Sequence, residues 1–90
     1  MKSELDTTGL RCPVPVLRTR RALAALVAGD VLVVRADDPS ALTDIPAFCR
    51  MAGHSLVHAE DREGVFVFEI RRGPDGPTDD EDRQDISDLP

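Results

Sequence analysis

One cysteine stands in a sequence context that could support chemistry. Residues 9–15 read GLRCPVP, and this places Cys12 at the predicted N-cap of a helix whose first residue is Pro13. Cysteine is a poor N-cap residue, since Ser, Thr, Asp or Asn would be favoured there by about 1 kcal/mol. A helix N-terminus also stabilises a thiolate and lowers the pKa of a cysteine from its usual value of about 8.5. With the positive charge of Arg11 beside it, Cys12 is predicted to be a reactive thiol.

Two prolines shape the surroundings of this thiol. Pro13 and Pro15 have no N–H, which leaves Val14 and Val16 as the backbone donors of the first turn. Activation of the thiol by backbone N–H groups is therefore expected to be weaker than at an uninterrupted helix. The prolines instead form, with Leu10 and Val14, a rigid apolar rim around a thiol at the tip of the domain. This arrangement favours presentation of the sulfur to another protein, because a small substrate would need an enclosing pocket.

The remaining candidate residues narrow the chemistry. A cysteine hydrolase needs a histidine base beside its thiol, and both histidines, His54 and His58, lie around the third predicted strand. A dithiol oxidoreductase needs Cys-X-X-Cys, but position 15 is a proline, and Cys49 has the spacing of a buried helix residue. Cys49 and the two histidines lack a fourth nearby ligand, so no metal site is expected. A thiol without a neighbouring thiol can hold a sulfane sulfur, since no second cysteine would discharge the persulfide as a disulfide.

The helices and strands that position Cys12 are predicted from hydrophobic periodicity and from the glycines and prolines that interrupt it. The predicted elements, in order, are a strand over 3–8, a helix over 13–28, a strand over 31–34, a helix over 39–52, and strands over 55–60 and 65–71. Gly29 is predicted to end the first helix, and Asp38 and Gly53 are predicted to cap the second. Pro46 is expected to cause a kink or a 3₁₀ start in the second helix. The last two strands are predicted to form an antiparallel hairpin joined at 61–64. About 70 ordered residues favour an α/β fold of two layers, with the two helices on one face of a mixed four-stranded sheet if the strand order permits. The other sheet face would then be uncovered, with Val65 and Val67 on it.

Composition limits the class of protein. Ninety residues with 41% hydrophobic and 31% charged content make a single small domain, with mostly aliphatic residues in its core. No apolar stretch approaches the ~20 residues of a membrane-spanning helix, and the first residues lack the pattern of a secretory signal. Two cysteines do not make a disulfide scaffold. We therefore expect a cytoplasmic protein that does not bind a membrane.

The net charge of −6 is concentrated at the C-terminus. Residues 73–90 contain seven acids and one arginine, while residues 1–72 contain ten acids and ten bases. We expect a folded domain over 1–72 and an acidic, disordered tail over 73–90. A neutral domain with an acidic appendage lacks the basic face that direct nucleic-acid binding requires.

The segments that carry these features resemble the TusA (SirA-like) family of sulfur carrier proteins, whose signature is Cys-Pro-X-Pro. The resemblance covers about residues 4–72. The matching segments are Leu5–Asp6, residues 9–15, Gly29–Asp30, Asp37–Pro39 and Asp44–Cys49.

The resemblance implies a βαβαββ two-layer sandwich and a sulfurtransferase-type carrier without a cofactor. Cys12 would form a persulfide, supported by the motif residues Arg11, Pro13 and Pro15. Sulfur would come from a cysteine desulfurase or a rhodanese and pass to a sulfur-accepting protein, for tRNA thiolation, molybdenum cofactor assembly or sulfur oxidation. Val14 stands where many relatives have a polar residue, a departure that bears on the choice of partner.

A second interpretation stays open beside the sulfur carrier. The chain could be a non-catalytic regulatory or interaction module in which Cys12 is only a redox-sensitive contact. Asp37 is interpreted as a local cap, with a place near Cys12 as the alternative, and Asp6 is expected to hold the turn at Gly9 through backbone N–H groups. Arg18, on the exposed side of the first helix, could face an acidic partner. We expect a monomer.

Overall fold

The computed structural model describes residues 2–74, and the acidic tail predicted from residue 73 onward lies almost wholly outside them. Six elements follow one another in the predicted order. They are β1 (Lys2–Asp6), α1 (Val14–Ala24), β2 (Val31–Ala36), α2 (Ala41–Ala52), β3 (Ser55–Arg62) and β4 (Val65–Arg71).

The four strands form one mixed sheet in the order β1-β2-β4-β3. β1 is parallel to β2, and β4 is antiparallel to both of its neighbours. Strands β1 and β2 therefore end at the same end of the sheet, which we call the upper end, and both helices begin there. Their other end, where Lys2, Val31 and Arg71 lie in register, is the lower end. The predicted α/β class and mixed sheet are confirmed.

The core lies between the helices and one face of the sheet. Alternate residues of β2 and β4 point into it and meet buried residues of both helices, so the two helices pack on the same face. The buried apolar residues are Leu23, Leu32, Val34, Ala36, Ala41, Ile45, Cys49, Phe66, Phe68 and Ile70. Full burial of a large apolar side chain contributes roughly 1.5–3 kcal/mol. Val65 and Val67 alternate with the buried phenylalanines of β4 and lie half-buried on the opposite face, which the described residues leave uncovered, as predicted.

Helix α1 is shorter than predicted at both ends. It begins at Val14 with Pro13 as its N-cap residue, so Cys12 is not the N-cap, and the Cys12–Pro13 peptide bond is cis. It ends at Ala24, whereas the prediction placed the end next to Gly29.

The early end of α1 has a local cause. The N–H of Val27 donates to the side chain of Asp30 (3.2 Å), and the N–H of Asp30 donates to the carbonyl of Val27 (3.0 Å). These bonds close a turn in place of a further helical turn. Gly29 lies in this turn at φ 92°, and its N–H donates to the carbonyl of Arg72 (3.0 Å). The glycine therefore directs the chain into β2 and does not cap α1.

Helix α2 begins at Ala41 after an N-cap Ser40, and not at Pro39 after Asp38. The N–H groups of Ala41, Leu42 and Thr43 each bond the carbonyl three residues earlier. The predicted 3₁₀ start is thereby confirmed. Gly53 adopts the left-handed conformation at φ 82° and ends the helix as predicted.

The hairpin between β3 and β4 is tighter than predicted. β3 extends to Arg62, which leaves a two-residue connection, Glu63 and Gly64, with φ of 55° and 90°. Positive φ at both positions is typical of the turns that match strand twist. The N–H of Gly64 also donates to the side chain of Asp61 (2.9 Å).

Candidate functional site around Cys12

Cys12 lies in the loop that joins β1 to α1 at the upper end of the sheet, and it is exposed. The start of the loop is anchored by Thr7, which is fully buried and donates both its N–H (2.7 Å) and its hydroxyl (2.6 Å) to the carbonyl of Arg35. Asp6 accepts hydrogen bonds from the N–H (2.9 Å) and hydroxyl (2.7 Å) of Thr8. The prediction that Asp6 holds this turn through a backbone N–H is confirmed.

Asp38 ties the backbone of the cysteine to the start of α2. The N–H of Cys12 donates to Oδ2 of Asp38 (2.6 Å), and the N–H of Ser40 donates to Oδ1 (3.1 Å). These two hydrogen bonds, the one from Cys12 first, lower the pKa of the Asp38 carboxyl. The residue is buried, with 8% of its surface exposed. Asp38 therefore fixes the position of Cys12, and the prediction that it is the N-cap of α2 is wrong.

Asp37 and Arg11 hold the outer side of the same loop. Oδ1 of Asp37 accepts the N–H of Gly9 (3.0 Å) and lies 3.4 Å from Nη1 of Arg11. The interpretation of Asp37 as a local cap is wrong, and its alternative place beside the thiol loop is correct. Because the guanidinium of Arg11 is paired with Asp37, its charge is not directed at the sulfur.

The thiol itself contacts a carboxylate. Sγ of Cys12 lies 3.3 Å from Oδ2 of Asp44, in the first turn of α2, and donates a hydrogen bond to it. This hydrogen bond raises the pKa of Cys12, and desolvation and the negative charges of Asp44 and Asp38 act in the same direction. The predicted lowering of this pKa is wrong, because the carboxylates of Asp44 and Asp38 lie close to the thiol and favour its neutral form.

The space beside the thiol is a small recess between the starts of the two helices. Its lining includes Cys12, Pro13, Pro15, Ala41 and Asp44, and its empty volume is about 160 Å³ including the part open to solvent. Pockets that enclose small molecules have roughly 300–1,000 Å³. Pro15 is buried, whereas Pro13 is exposed beside the sulfur. The recess is too small to enclose a substrate, so a partner must reach Cys12 at the surface of the protein.

The other sequence candidates lie away from Cys12. Cys49 is buried in the core, where burial raises its pKa. His54 accepts the N–H of Gly73 at Nδ1 (2.9 Å), and His58 lies on β3 beside Glu60. Arg18 is exposed on α1.

Two further findings concern residues 2–74 as a whole. Within this range, no group of three or more His, Cys, Asp or Glu side chains is placed to hold a metal ion. Neither described helix is long and apolar enough to cross a membrane.

The sequence predicts Cys12 as a candidate residue but does not indicate its contact with Asp44. The only available signal was that both predicted helices follow strands of one sheet, which brings their first turns to the same end.

Comparisons with known proteins bear on the family and the fold of the chain. The family model described as Sulfurtransferase TusA matches residues 3–72. Two proteins of Neisseria meningitidis, from serogroups A and B, each named "Putative sulfur carrier protein", are 50% identical over 72 residues, which are 79% of this chain and 97% of theirs. The crystal structure of the SirA-like protein from Desulfitobacterium hafniense superposes with a TM-score of 0.71 at 29% identity. The superposition covers 79% of this chain and 97% of the SirA-like protein.

Proposed function

Because the chain belongs to the TusA sulfurtransferase family, we propose that it is a sulfur carrier in which Cys12 holds sulfane sulfur as a persulfide. The observation that carries this proposal is the exposed Cys12 thiol, held 3.3 Å from the Asp44 carboxylate at the mouth of a small recess. Such a thiol is accessible to a cysteine of another protein.

The transfer step is an exchange between a thiol and a persulfide. The donor is a cysteine persulfide, R–S–SH, on a cysteine desulfurase or a rhodanese. Cys12 loses its proton to solvent, and the resulting thiolate attacks the terminal sulfur of the donor. The donor S–S bond breaks, a new S–S bond forms on Cys12, and the donor thiolate leaves and takes up a proton. Cys12–SH and R–S–SH become Cys12–S–SH and R–SH, so no external oxidant or reductant is needed.

The surroundings of Cys12 support retention of the sulfur between partners. Cys49 is buried in the core, so it cannot attack the persulfide and release the sulfur as sulfide. The hydrogen bond to Asp44 favours the neutral thiol in the unloaded carrier, which limits side reactions of the thiolate. A downstream protein that presents its own thiol then receives the sulfur, in tRNA thiolation, molybdenum cofactor assembly or sulfur oxidation.

Intact-mass spectrometry tests this function. The reduced protein is incubated with a cysteine desulfurase and cysteine, or with polysulfide, as wild type, Cys12→Ser and the matched control Cys49→Ala. We expect a gain of one sulfur atom, removable by a reductant, in the wild type and in Cys49→Ala but not in Cys12→Ser.

Two outcomes would contradict the proposal. Equal loading of wild type and Cys12→Ser would assign the chemistry to Cys49. Absence of loading in every variant would leave the non-catalytic interaction module as the better account, with Cys12 as a contact residue.

A further inference from the structure

Helix α1 presents an unusual concentration of unpaired positive charge. It contains three exposed arginines, Arg18, Arg20 and Arg21, and no acidic residue. Arg18 and Arg21 are three residues apart and so lie on the same exposed side of the helix, and we call these two residues the α1 arginine face. Among residues 2–74, none of the three arginines of α1 has an ion-pair partner, whereas four other basic residues do. Those pairs are Lys2–Glu69, Arg11–Asp37, Arg35–Glu4 and Arg62–Glu60.

The described chain ends beside this helix. The N–H of Arg72 donates to the carbonyl of Asp30 (2.7 Å), and its Nε donates to the carbonyl of Leu23 (2.8 Å) in the last turn of α1. The N–H of Gly73 then donates to His54 (2.9 Å). The following residues therefore start close to the end of α1 that carries Arg21.

The segment that follows has the opposite charge. Residues 75–90 include seven acids and a single arginine, which gives six net negative charges. At 3.3–3.6 Å per residue, sixteen residues reach about 53–58 Å when extended. Helix α1 has 11 residues and is about 16 Å long at 1.5 Å per residue. The segment is thus long enough to follow the whole helix to its start beside Cys12.

We propose that the acidic segment 75–90 docks in the same molecule onto the α1 arginine face. Covalent attachment gives such a segment an effective concentration in the millimolar range, so weak charge pairing is sufficient for docking. The uncovered face of the sheet is a poorer site, because its Lys2 and Arg35 are already paired with Glu69 and Glu4, which leaves Arg71 as the exposed arginine of β4 without an ion pair among the described residues. The docking does not depend on sulfur transfer, and an acidic protein that approaches α1 would compete with the segment for the same arginines.

Paramagnetic line broadening in the full chain tests the proposal. A nitroxide is attached through Ser87→Cys in the Cys12→Ser background, with Cys49 protected in the core. We expect selective broadening of the amide signals of residues 18–23. About 0.5 M salt shortens the Debye length to about 4 Å and should reduce this broadening by about half or more.

Matched charge variants decide where the segment binds. Arg18→Gln with Arg21→Gln should abolish the selective broadening. Arg50→Gln with Arg71→Gln removes the same charge from exposed arginines elsewhere and should preserve it. Even broadening over the whole domain would overturn the proposal, as would broadening centred on Val65 and Val67 or insensitivity to the α1 variants. Broadening that disappears on dilution with unlabelled protein would indicate docking between copies and would also overturn it.

Discussion

Gly73→Ala tests how tightly the last described residues are fixed to the fold. Gly73 is buried, and a Cβ added to it would lie 1.9 Å from the carbonyl oxygen of Gly53 and 2.8 Å from its carbonyl carbon. Both are backbone atoms, so neither can rotate away as a flexible side chain could. The substitution must therefore displace one of the two segments.

The size of the displacement can be worked out from the contacts. An increase from 1.9 Å to the ordinary contact distance of 3.4 Å requires a movement of about 1.5 Å. Such a movement breaks the 2.9 Å hydrogen bond from the Gly73 N–H to Nδ1 of His54. Overpacking costs about 1–3 kcal/mol and the hydrogen bond about 1 kcal/mol, so the free energy of unfolding should fall by about 2–4 kcal/mol. At about 4–8 °C per kcal/mol, 2 kcal/mol lowers the Tm by roughly 8–16 °C.

Thermal unfolding followed by circular dichroism measures the loss, and NMR titration of the imidazole shows its cause. Burial, assisted by the charge of Arg72, lowers the pKa of His54. Displacement of Gly73 exposes the ring and should raise this pKa toward 6.5.

Gly64→Ala is the matched control for this experiment. Gly64 has φ 90° and no atom near the added Cβ, so the substitution introduces backbone strain of about 1–2 kcal/mol without a clash. Its His54 titration should equal that of the wild type. If Gly73→Ala melts no lower than Gly64→Ala and leaves the His54 titration unchanged, the steric reasoning is refuted.

Three further predictions concern the thiol, acid stability and the core. Asp44→Asn removes the charged acceptor that raises the pKa of Cys12, so the rate of alkylation by iodoacetamide at neutral pH should increase and its pH profile should move to lower pH; an unchanged profile would contradict this. Because the pKa of His54 is below 6.5 in the folded protein, the unfolded chain binds more protons. The contribution of neutral His54 to stability is present above pH 6.5 and is lost as the pH falls through the pKa of His54 in the folded protein. The denaturation midpoint should therefore be lower at about pH 5 than at about pH 7.5, and this difference should be smaller in His54→Gln. Ile45→Ala empties a fully buried position and should lower the free energy of unfolding by about 2–5 kcal/mol, whereas Leu42→Ala, at a half-exposed position of the same helix, should cost far less in urea titrations.

The order and type of the elements could be predicted because each is marked locally. Gly53 and the turn at Glu63–Gly64 separate periodic segments, and these signals act over a few residues. The end of α1 was misplaced for a different reason. The side chain of Asp30 accepts the N–H of Val27 and so ends the helix. Hydrophobic periodicity cannot predict such a hydrogen bond. Apolar residues beyond Ala24 continued the helical pattern, although the backbone had already left it.

The candidate site was predictable in its central residue and not in its electrostatics. The motif around Cys12 predicts a functional thiol, because its neighbours in sequence carry the signal. The group that sets the pKa of the thiol, Asp44, is 32 residues away along the chain, and only the shared end of the two helices brings it within 3.3 Å. Asp37 and Asp38 were assigned to the start of α2 from their position in sequence. Both bind the Cys12 loop, since that loop offers N–H groups without partners in a strand or helix, and Asp38 also accepts the N–H of Ser40.

The register of the sheet determines where a label or a surface can be attached without covering the thiol. Lys2 and Arg71 lie in one row with Val31 at the lower end, whereas the chain reaches Cys12 from Asp6 at the upper end. At about 3.3 Å per residue, the strands separate the two ends by roughly 15 Å. A bead, a fluorophore or a fused domain joined ahead of Lys2 therefore faces away from the thiol. Single-molecule or surface-binding measurements can use that attachment point while Cys12 stays open to solution.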